Sequence, residues 1–240
     1  MSVWSPRQWL RAAIDAAGYE VRRKSGTQLV VARVLRDLNV DLVFDVGANT
    51  GQFAQRLRAA GYLGQIVSFE PLPDAHAALA TASRFDSHWE VAPRAAIGAA
   101  DGSIEVHVAG NSYSSSILPM EAAHVSAAPD SRYVGAVTVP LQRLDGAGAA
   151  WLDRARRPFL KIDTQGYESA VLDGAPQILA RSVGVQLEMS LVPLYSGEVL
   201  YRQLIDRLDG LGFDLWCLEP GFADPATGRL LQVDGVFVRR

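Results

Sequence analysis

Short apolar runs alternate with helical spacing along most of the chain, and this alternation predicts the fold. Buried strands are predicted at 42–46, 66–70, 89–91, 104–108, 159–163 and 184–188. Helical spacing is found at 27–38, 51–60, 74–83, 167–181 and 199–211. Strands that alternate with helices indicate an α/β domain built on a parallel sheet.

The last part of the chain has a different pattern. Two apolar runs, 213–219 and 230–238, flank the sequence Asp-Pro-Ala-Thr-Gly at 224–228, which is a turn signal. A hairpin there predicts an open sheet that is parallel except at one edge.

The same pattern suggests how the chain is organised. Residues 1–38 are predicted to be an N-terminal helical segment, and residues 39–240 a single domain. Residues 110–135 are polar, with three consecutive serines, and are expected to form a long loop that binds the acceptor or closes over it. Residues 1–36 carry an excess of arginine, which fits either a solvated helix face or a contact surface.

Composition narrows the class of protein. Of 240 residues, 49% are hydrophobic and 20% charged, and the net charge of −3 does not suggest a nucleic-acid-binding protein. The single cysteine, Cys217, excludes an internal disulfide and lies in an apolar run where a buried thiol is expected. No apolar run reaches about 18 residues, so we expect a soluble, cytoplasmic protein.

The densest chemical signal is the sequence Val-Phe-Asp-Val-Gly-Ala-Asn-Thr-Gly-Gln-Phe at 43–53. A strand runs through Asp45 into a turn with Gly47 and Gly51, which would let a ligand approach the backbone amides at the start of a helix. Glu70 ends the next strand, where a carboxylate can accept both hydroxyls of a ribose. The segment therefore predicts a nucleoside site.

A dinucleotide is the main competing ligand. The chain has Gly-x-x-x-Gly instead of Gly-x-Gly-x-x-Gly, and Asp45 would repel a diphosphate at close range. A ligand with an amino group and a sulfonium would tolerate this carboxylate or be attracted to it. A nicotinamide-dependent oxidoreductase and a non-catalytic nucleoside-binding protein stay open as alternatives.

The chain resembles the FkbM-type branch of the class I S-adenosylmethionine-dependent methyltransferases from about residue 40 onward. The matching segments are 43–53, Ser-Phe-Glu-Pro at 68–71, Ala-Ile-Gly at 96–98, Lys-Ile-Asp-Thr-Gln-Gly-Tyr-Glu at 161–168 and Val-Leu-Asp-Gly-Ala at 171–175. In the family an acidic residue often follows the Ile-Gly pair directly, whereas here Ala99 and Ala100 precede Asp101.

The resemblance implies a doubly wound, seven-stranded Rossmann-like sheet with helices on both faces, binding S-adenosylmethionine and releasing S-adenosylhomocysteine. The implied cofactor residues are Asp45, Gly47, Ala48, Asn49, Gly51, Glu70, Pro71, Ala96, Ile97 and Asp163. Members of the family commonly methylate hydroxyls, many of them on sugars of polysaccharides, glycolipids and antibiotics. A small-molecule or oligosaccharide acceptor is therefore expected, and a homo-oligomer is left open.

Methyl transfer to an alcohol benefits from a base near the acceptor hydroxyl. Glu188, His124 and Asp163 are the candidates; Glu188 and Asp163 end strands, and His124 lies in the predicted loop. The competing interpretations are a solvated strand end for Glu188, a surface histidine for His124 and a helix cap for Asp163. Substrate contacts are expected from Ser114, Ser115, Lys161 and Tyr195. No cluster of ligands indicates a metal.

Overall fold

The computed structural model describes residues 27–240, and a seven-stranded sheet forms its centre. The strands of this sheet are β1 (Leu42–Val46), β2 (Gln65–Phe69), β3 (Trp89–Val91), β7 (Pro158–Ile162), β8 (Gly184–Ser190), β9 (Phe213–Pro220) and β10 (Gln232–Arg239). Their spatial order is β3-β2-β1-β7-β8-β10-β9. The order reverses between β1 and β7, which places a crevice at the carboxyl ends of these two strands.

Only β10 runs against the other strands of this sheet. It pairs antiparallel with β8 on one side and with β9 on the other, while β1, β2, β3, β7 and β8 pair in parallel. The predicted C-terminal hairpin is confirmed, with β10 inserted inside the sheet and β9 at its edge. The fold is therefore the doubly wound, mostly parallel sheet that the sequence predicts.

Helices cover both faces of the sheet. They are α1 (Thr27–Asp37), α2 (Gln52–Ala59), α3 (Pro73–Ser83), α4 (Ala122–Ala127), α5 (Leu144–Ala147), α6 (Ala149–Leu152), α7 (Glu168–Asp173), α8 (Pro176–Arg181) and α9 (Tyr201–Gly210). Neighbouring residues of β1 serve opposite faces, since Val43 packs with Leu35 of α1 while Phe44 packs with Leu144 and Ile178. No helix within residues 27–240 is long and apolar enough to cross a membrane.

The single helix predicted over 167–181 is divided in two. Helix α7 ends before Gly174 and helix α8 begins at Pro176, which lacks the amide hydrogen needed to continue a helix. A Cβ on Gly174 would lie 2.0 Å from the carbonyl oxygen of Gly98, so the backbones of two distant segments are in direct contact here.

A second, three-stranded sheet was not predicted from the sequence. It contains β4 (Ala96–Ile97), β5 (Gly102–Ala109) and β6 (Tyr133–Gln142), in the order β4-β6-β5. The polar segment 110–135 is also more regular than expected, because it contains α4, a 3-10 turn at Pro129–Ser131 and the start of β6. Strand β6 was missed because it contains Gly135 and Pro140, which are typical of turns. Its pairing with β5 stabilises it as a strand.

Candidate active site

A cleft of about 250 Å³ lies at the carboxyl ends of the central strands. It is bounded by the turn after β1, the end of β2, the short strand β4, the segment 112–117 and the ends of β7 and β8. The lining residues discussed below are Gly47, Ala48, Asn49, Glu70, Pro71, Ala96, Ile97, Tyr113, Ser115, Lys161, Asp163, Gln165 and Glu188. Its place is the switch point where open α/β sheets bind their ligands.

The turn after β1 has its amide hydrogens already bonded within the protein. The amides of Gly47 and Ala48 donate to the carbonyl of Phe69, at 3.1 and 3.0 Å. Those of residues 49, 50 and 51 donate to the Glu70 carboxylate, the Asn49 side chain and the Ala48 carbonyl. The amides of residues 47–51 are therefore already bonded within the protein and are not free for a ligand.

The two glycines of the turn are needed for packing. Both have positive φ, +74° at Gly47 and +92° at Gly51. A Cβ on Gly47 would lie 1.8 Å from the carbonyl oxygen of Asp163, and one on Gly51 would lie 2.7 Å from the ring of Trp89. Gly47 thus lets the loops after β1 and β7 touch, and Gly51 lets α2 approach β3.

Glu70 stands at the end of β2 with its carboxylate in the cleft wall. One oxygen accepts the amide of Asn49 at 2.8 Å, and the other accepts the amide of Leu72 at 2.9 Å. Burial raises the pKa of Glu70 to about 7, and the two amide donors oppose this rise. Each oxygen keeps a lone pair that a ligand hydroxyl can use.

Asp45, behind the cleft, and Lys161, which lines it, form a buried ion pair. The Lys161 Nζ lies 3.1 Å from Asp45 Oδ1 and 3.6 Å from Asp163 Oδ2. Asp45 has no solvent exposure and also accepts the hydroxyl of Ser68, which in turn accepts the indole N–H of Trp89. Burial alone would lower the pKa of Lys161, but the two carboxylates outweigh it and raise the pKa. Lys161 is therefore charged.

At the ends of β7 and β8, one amide joins two carboxylates. The Gln165 Nε2 donates to Asp163 Oδ1 at 2.9 Å and to Glu188 Oε2 at 2.5 Å. Glu188 Oε2 also accepts from Gln232 at 3.0 Å. Gln165 belongs to the Lys-Ile-Asp-Thr-Gln motif, and the sequence alone predicts no role for it. Its only signal was this place in the motif.

Glu188 has an unusual electrostatic environment. Burial is the main cause that raises its pKa well above the usual value for a glutamate, and the charges of Asp163, Asp234 and Glu168 add to the effect. The positive charge of Lys161 opposes it. A buried carboxylate whose pKa is raised in this way binds a proton more tightly than an exposed one, which suits a group that accepts a proton during a reaction.

The segment 112–117 forms one wall of the cleft and is tied to the opposite side. The Asn49 side chain donates to the carbonyl of Ser112 at 3.4 Å, and the Ser116 hydroxyl donates to the carbonyl of Gln165 at 2.6 Å. Ser115 lines the cleft and donates to the Ser112 carbonyl. The wall is therefore closed onto the turns after β1 and β7.

Three residues predicted for the acceptor or the base lie behind this wall. Ser114, His124 and Tyr195 are buried and are not among the residues that line the cleft. The His124 ring packs against Tyr195 and Phe222, and its Nε2 lies 3.2 Å from the Ser114 hydroxyl. Burial lowers the pKa of His124 to about 4, so the ring is neutral at pH 7.

The other residues predicted for the site either line the cleft or lie behind it. Of the expected cofactor residues, Gly47, Ala48, Asn49, Glu70, Pro71, Ala96, Ile97 and Asp163 line the cleft, whereas Asp45 and Gly51 support it from behind. Of the other candidates, Glu188, Ser115 and Lys161 line it. Within residues 27–240, no group of three or more His, Cys, Asp or Glu side chains is arranged to hold a metal ion.

The cleft and the strand order together define a class I S-adenosylmethionine-dependent methyltransferase fold. Residues 45–215 match the Methyltransferase FkbM domain, which is more than half of the chain. The chain therefore belongs to the FkbM methyltransferase family, and at this level it is an S-adenosylmethionine-dependent methyltransferase. Comparison with curated protein sequences gives no match.

Several solved methyltransferase structures are similar to this chain. A candidate RNA methyltransferase of Pyrococcus horikoshii is 14% identical, with a TM-score of 0.48 over 88% of this chain and 82% of its own. Magnesium protoporphyrin IX methyltransferase of Synechocystis PCC 6803, solved with bound S-adenosylmethionine, is 10% identical, with a TM-score of 0.46 over 100% of both chains. An rRNA methylase of Streptococcus thermophilus is 9% identical, with a TM-score of 0.44 over 88% of this chain and 94% of its own.

Proposed function

We propose that this protein is an O-methyltransferase that methylates a hydroxyl group of a sugar in a polysaccharide, a glycolipid or a related precursor. The observation that carries the proposal is the pair of carboxylates, Asp163 and Glu188, which line the same cleft as the apolar residues Ala96 and Ile97. A hydroxyl acceptor needs such a group to take its proton, whereas a more nucleophilic acceptor does not.

The cleft residues fit S-adenosylmethionine. The Glu70 carboxylate has lone pairs for the ribose hydroxyls, and Ala96 and Ile97 offer an apolar surface for the adenine. Asp163 lines the cleft, and its carboxylate would accept the amino group of the cofactor. When bound, this cofactor supplies an electrophilic methyl group next to a positive sulfur.

Glu188 is our first candidate for the base. It lines the cleft, and its Oε2 is held by Gln165 and Gln232, which leaves Oε1 for an acceptor hydroxyl. His124 is a weaker candidate because it is buried behind the wall and its pKa is lowered to about 4. The residues of this chain would then align the acceptor oxygen, exclude water and take its proton.

A sugar acceptor is supported by the mouth of the cleft. Tyr113 lines the cleft with 63% of its surface exposed, so its ring offers an apolar face with a polar hydroxyl edge. Ser112, just before it, has a φ of +60°, a strained conformation for a residue other than glycine. Ser115 adds a hydroxyl to the same wall. We infer that residues 110–135 bind the acceptor and open to admit it.

Two experiments test the proposal. Calorimetry with S-adenosylhomocysteine and with NAD should give binding only for the first; the reverse result would favour an oxidoreductase. Transfer of a labelled methyl group to a panel of saccharides should then occur. Binding without transfer to any hydroxylated acceptor would favour a non-catalytic nucleoside-binding protein.

Variants assign the base. Glu188→Gln should lower turnover by about 10²–10⁴-fold and leave S-adenosylhomocysteine affinity nearly unchanged. His124→Gln serves as the comparison, and a larger loss of turnover there would transfer the role to His124. Activity should survive excess EDTA; loss on chelation that magnesium restores would place Asp163 among metal ligands.

A further inference from the structure

We propose that Gln165 is a positioning residue whose side-chain amide holds and orients Asp163 and Glu188, and that the hydroxyl of Tyr195 helps the two carboxylates to set the direction in which this amide faces. The inference rests on the proposed function only in giving the two carboxylates a catalytic use. The geometry itself is independent of the acceptor.

The first argument comes from the hydrogen atoms of the amide. The Gln165 Nε2 carries two hydrogens, and it contacts Asp163 Oδ1 at 2.9 Å and Glu188 Oε2 at 2.5 Å. Both donors are therefore used on two groups of like charge. Donation to a carboxylate stabilises its charged form and fixes the oxygen that accepts.

The second argument concerns the orientation of the amide. A primary amide can turn by 180° and present its oxygen where its nitrogen was. Here the Tyr195 hydroxyl lies 2.8 Å from Gln165 Oε1, and this oxygen can only accept. Tyr195 is fully buried, and its hydroxyl has a second, longer contact with the Ser114 carbonyl at 3.2 Å. Charged Asp163 and Glu188 can only accept, so the two carboxylates and the phenol together favour the orientation in which the amide nitrogen faces both carboxylates.

The third argument is the backbone that carries Gln165. Its φ is +55°, in the left-handed region that residues other than glycine rarely adopt. The Glu168 carboxylate accepts the amides of Thr164 and Gly166, at 2.8 and 3.2 Å. A Cβ on Gly166 would lie 3.0 Å from the Tyr195 side chain, so the turn rests on this ring. Such an over-determined strained residue is typical of a functional site.

The charges around Glu188 show what the amide does. Asp163, Asp234 and Glu168 face Glu188 from the β7 loop, β10 and α7, and each favours its neutral form. Lys161 of β7 is the positive group that opposes them. Without the Gln165 donors, this surplus of negative charge should make Glu188 hold its proton more tightly.

The test is a titration that needs neither cofactor nor acceptor. The carboxyl carbons are labelled with ¹³C, and the Glu188 resonance is identified by its loss in Glu188→Gln. Gln165→Met keeps the length of the side chain and removes both donors; it should raise the titration midpoint of Glu188 by about 1 pH unit. Tyr195→Phe should raise the midpoint by less, because the amide becomes free to turn.

Tyr62→Phe is the matched control. Its side chain is also buried, and among residues 27–240 its hydroxyl donates to the carbonyl of Gln65, so this variant should leave the midpoint unchanged. A midpoint for Gln165→Met that equals or lies below that of the wild type overturns the proposal. If Gln165→Met does not fold, Tyr195→Phe decides by the same criterion.

Activity separates this inference from the proposed function. If the wild type transfers methyl groups, the acid limb of its pH profile should move upward in both variants along with the midpoint. If the titration behaves as expected while no hydroxyl acceptor is methylated, the positioning role stands and the proposed function fails. If the wild type transfers methyl groups and neither the pH profile nor the Glu188 midpoint moves in the variants, the positioning role is refuted and the proposed function stands.

Discussion

Replacing Lys161 by methionine removes the positive end of a buried ion pair and keeps a side chain of similar length. Asp45, with no solvent exposure, would then retain the Ser68 hydroxyl and lose the Lys161 Nζ at 3.1 Å. Removing one partner of a buried pair costs about 3–5 kcal/mol, because a charge is left without compensation. For a chain of 240 residues, this corresponds to a melting temperature lower by roughly 10 °C.

The assay is thermal and urea unfolding of the protein without ligand. Asp45→Asn combined with Lys161→Met leaves no unpaired charge and should recover most of the lost stability. Arg36→Met is the surface control, since the Arg36–Asp37 pair is 3.5 Å long and mostly exposed, and it should change stability little. A Lys161→Met protein as stable as the wild type, with no gain from the added Asp45→Asn, would refute the reasoning.

Three further predictions concern ligand binding, the pH dependence of stability and the glycine turns. Glu70→Gln should weaken S-adenosylhomocysteine binding by about 1–3 kcal/mol in calorimetry, while unchanged affinity would exclude contact with the ribose. The pKa values of Glu70 and Glu168 are raised from 4.5 to about 7, so the folded state binds their protons more tightly than the unfolded state does. The stability that these two groups contribute should be greatest below pH 4.5. It should be lost as the pH rises through about 7, by roughly 1–3 kcal/mol for each group. Unfolding at pH 5 and 8 checks this, and Glu168→Gln should flatten the slope. Gly47→Ala should destabilise strongly because its Cβ would meet a carbonyl at 1.8 Å, whereas Gly61→Ala, with φ of +88° and no described atom within 4 Å, should cost only about 1 kcal/mol in the same assay.

Strands buried on both faces were predictable because their side chains form continuous apolar runs. β1 is buried at every position, and its bounds match the predicted ones. β6 was missed, since most of its residues are exposed or half-buried and its stability comes from pairing with the distant β5. A pairing of this kind leaves no periodic signal in the local sequence.

The site was predictable where position along a strand determines the place of a side chain. Glu70, Asp163 and Glu188 follow strands that end at the same edge of the sheet, and all three line the cleft. His124 and Tyr195 are different, because burial behind the wall depends on how residues 110–135 fold back. The bonding of the amides of residues 47–49 was equally hidden, since their acceptors are the Phe69 carbonyl of β2 and the Glu70 carboxylate.

The contact between Gly174 and Gly98 limits how closely the segment that carries β4 can approach the helices that follow β7. Gly98 directly follows β4, whose Ala96 and Ile97 form the apolar wall of the cleft. A Cβ on Gly174 would lie 2.0 Å from the Gly98 oxygen, so the two backbones are in direct contact. No side chain lies between them whose size could change the distance between the two segments. A side chain at position 174, between α7 and α8, would therefore push the segment that carries β4 away from these helices. Substitutions among the surrounding hydrophobic side chains can change how strongly the two sheets are held together, but they leave this backbone contact in place.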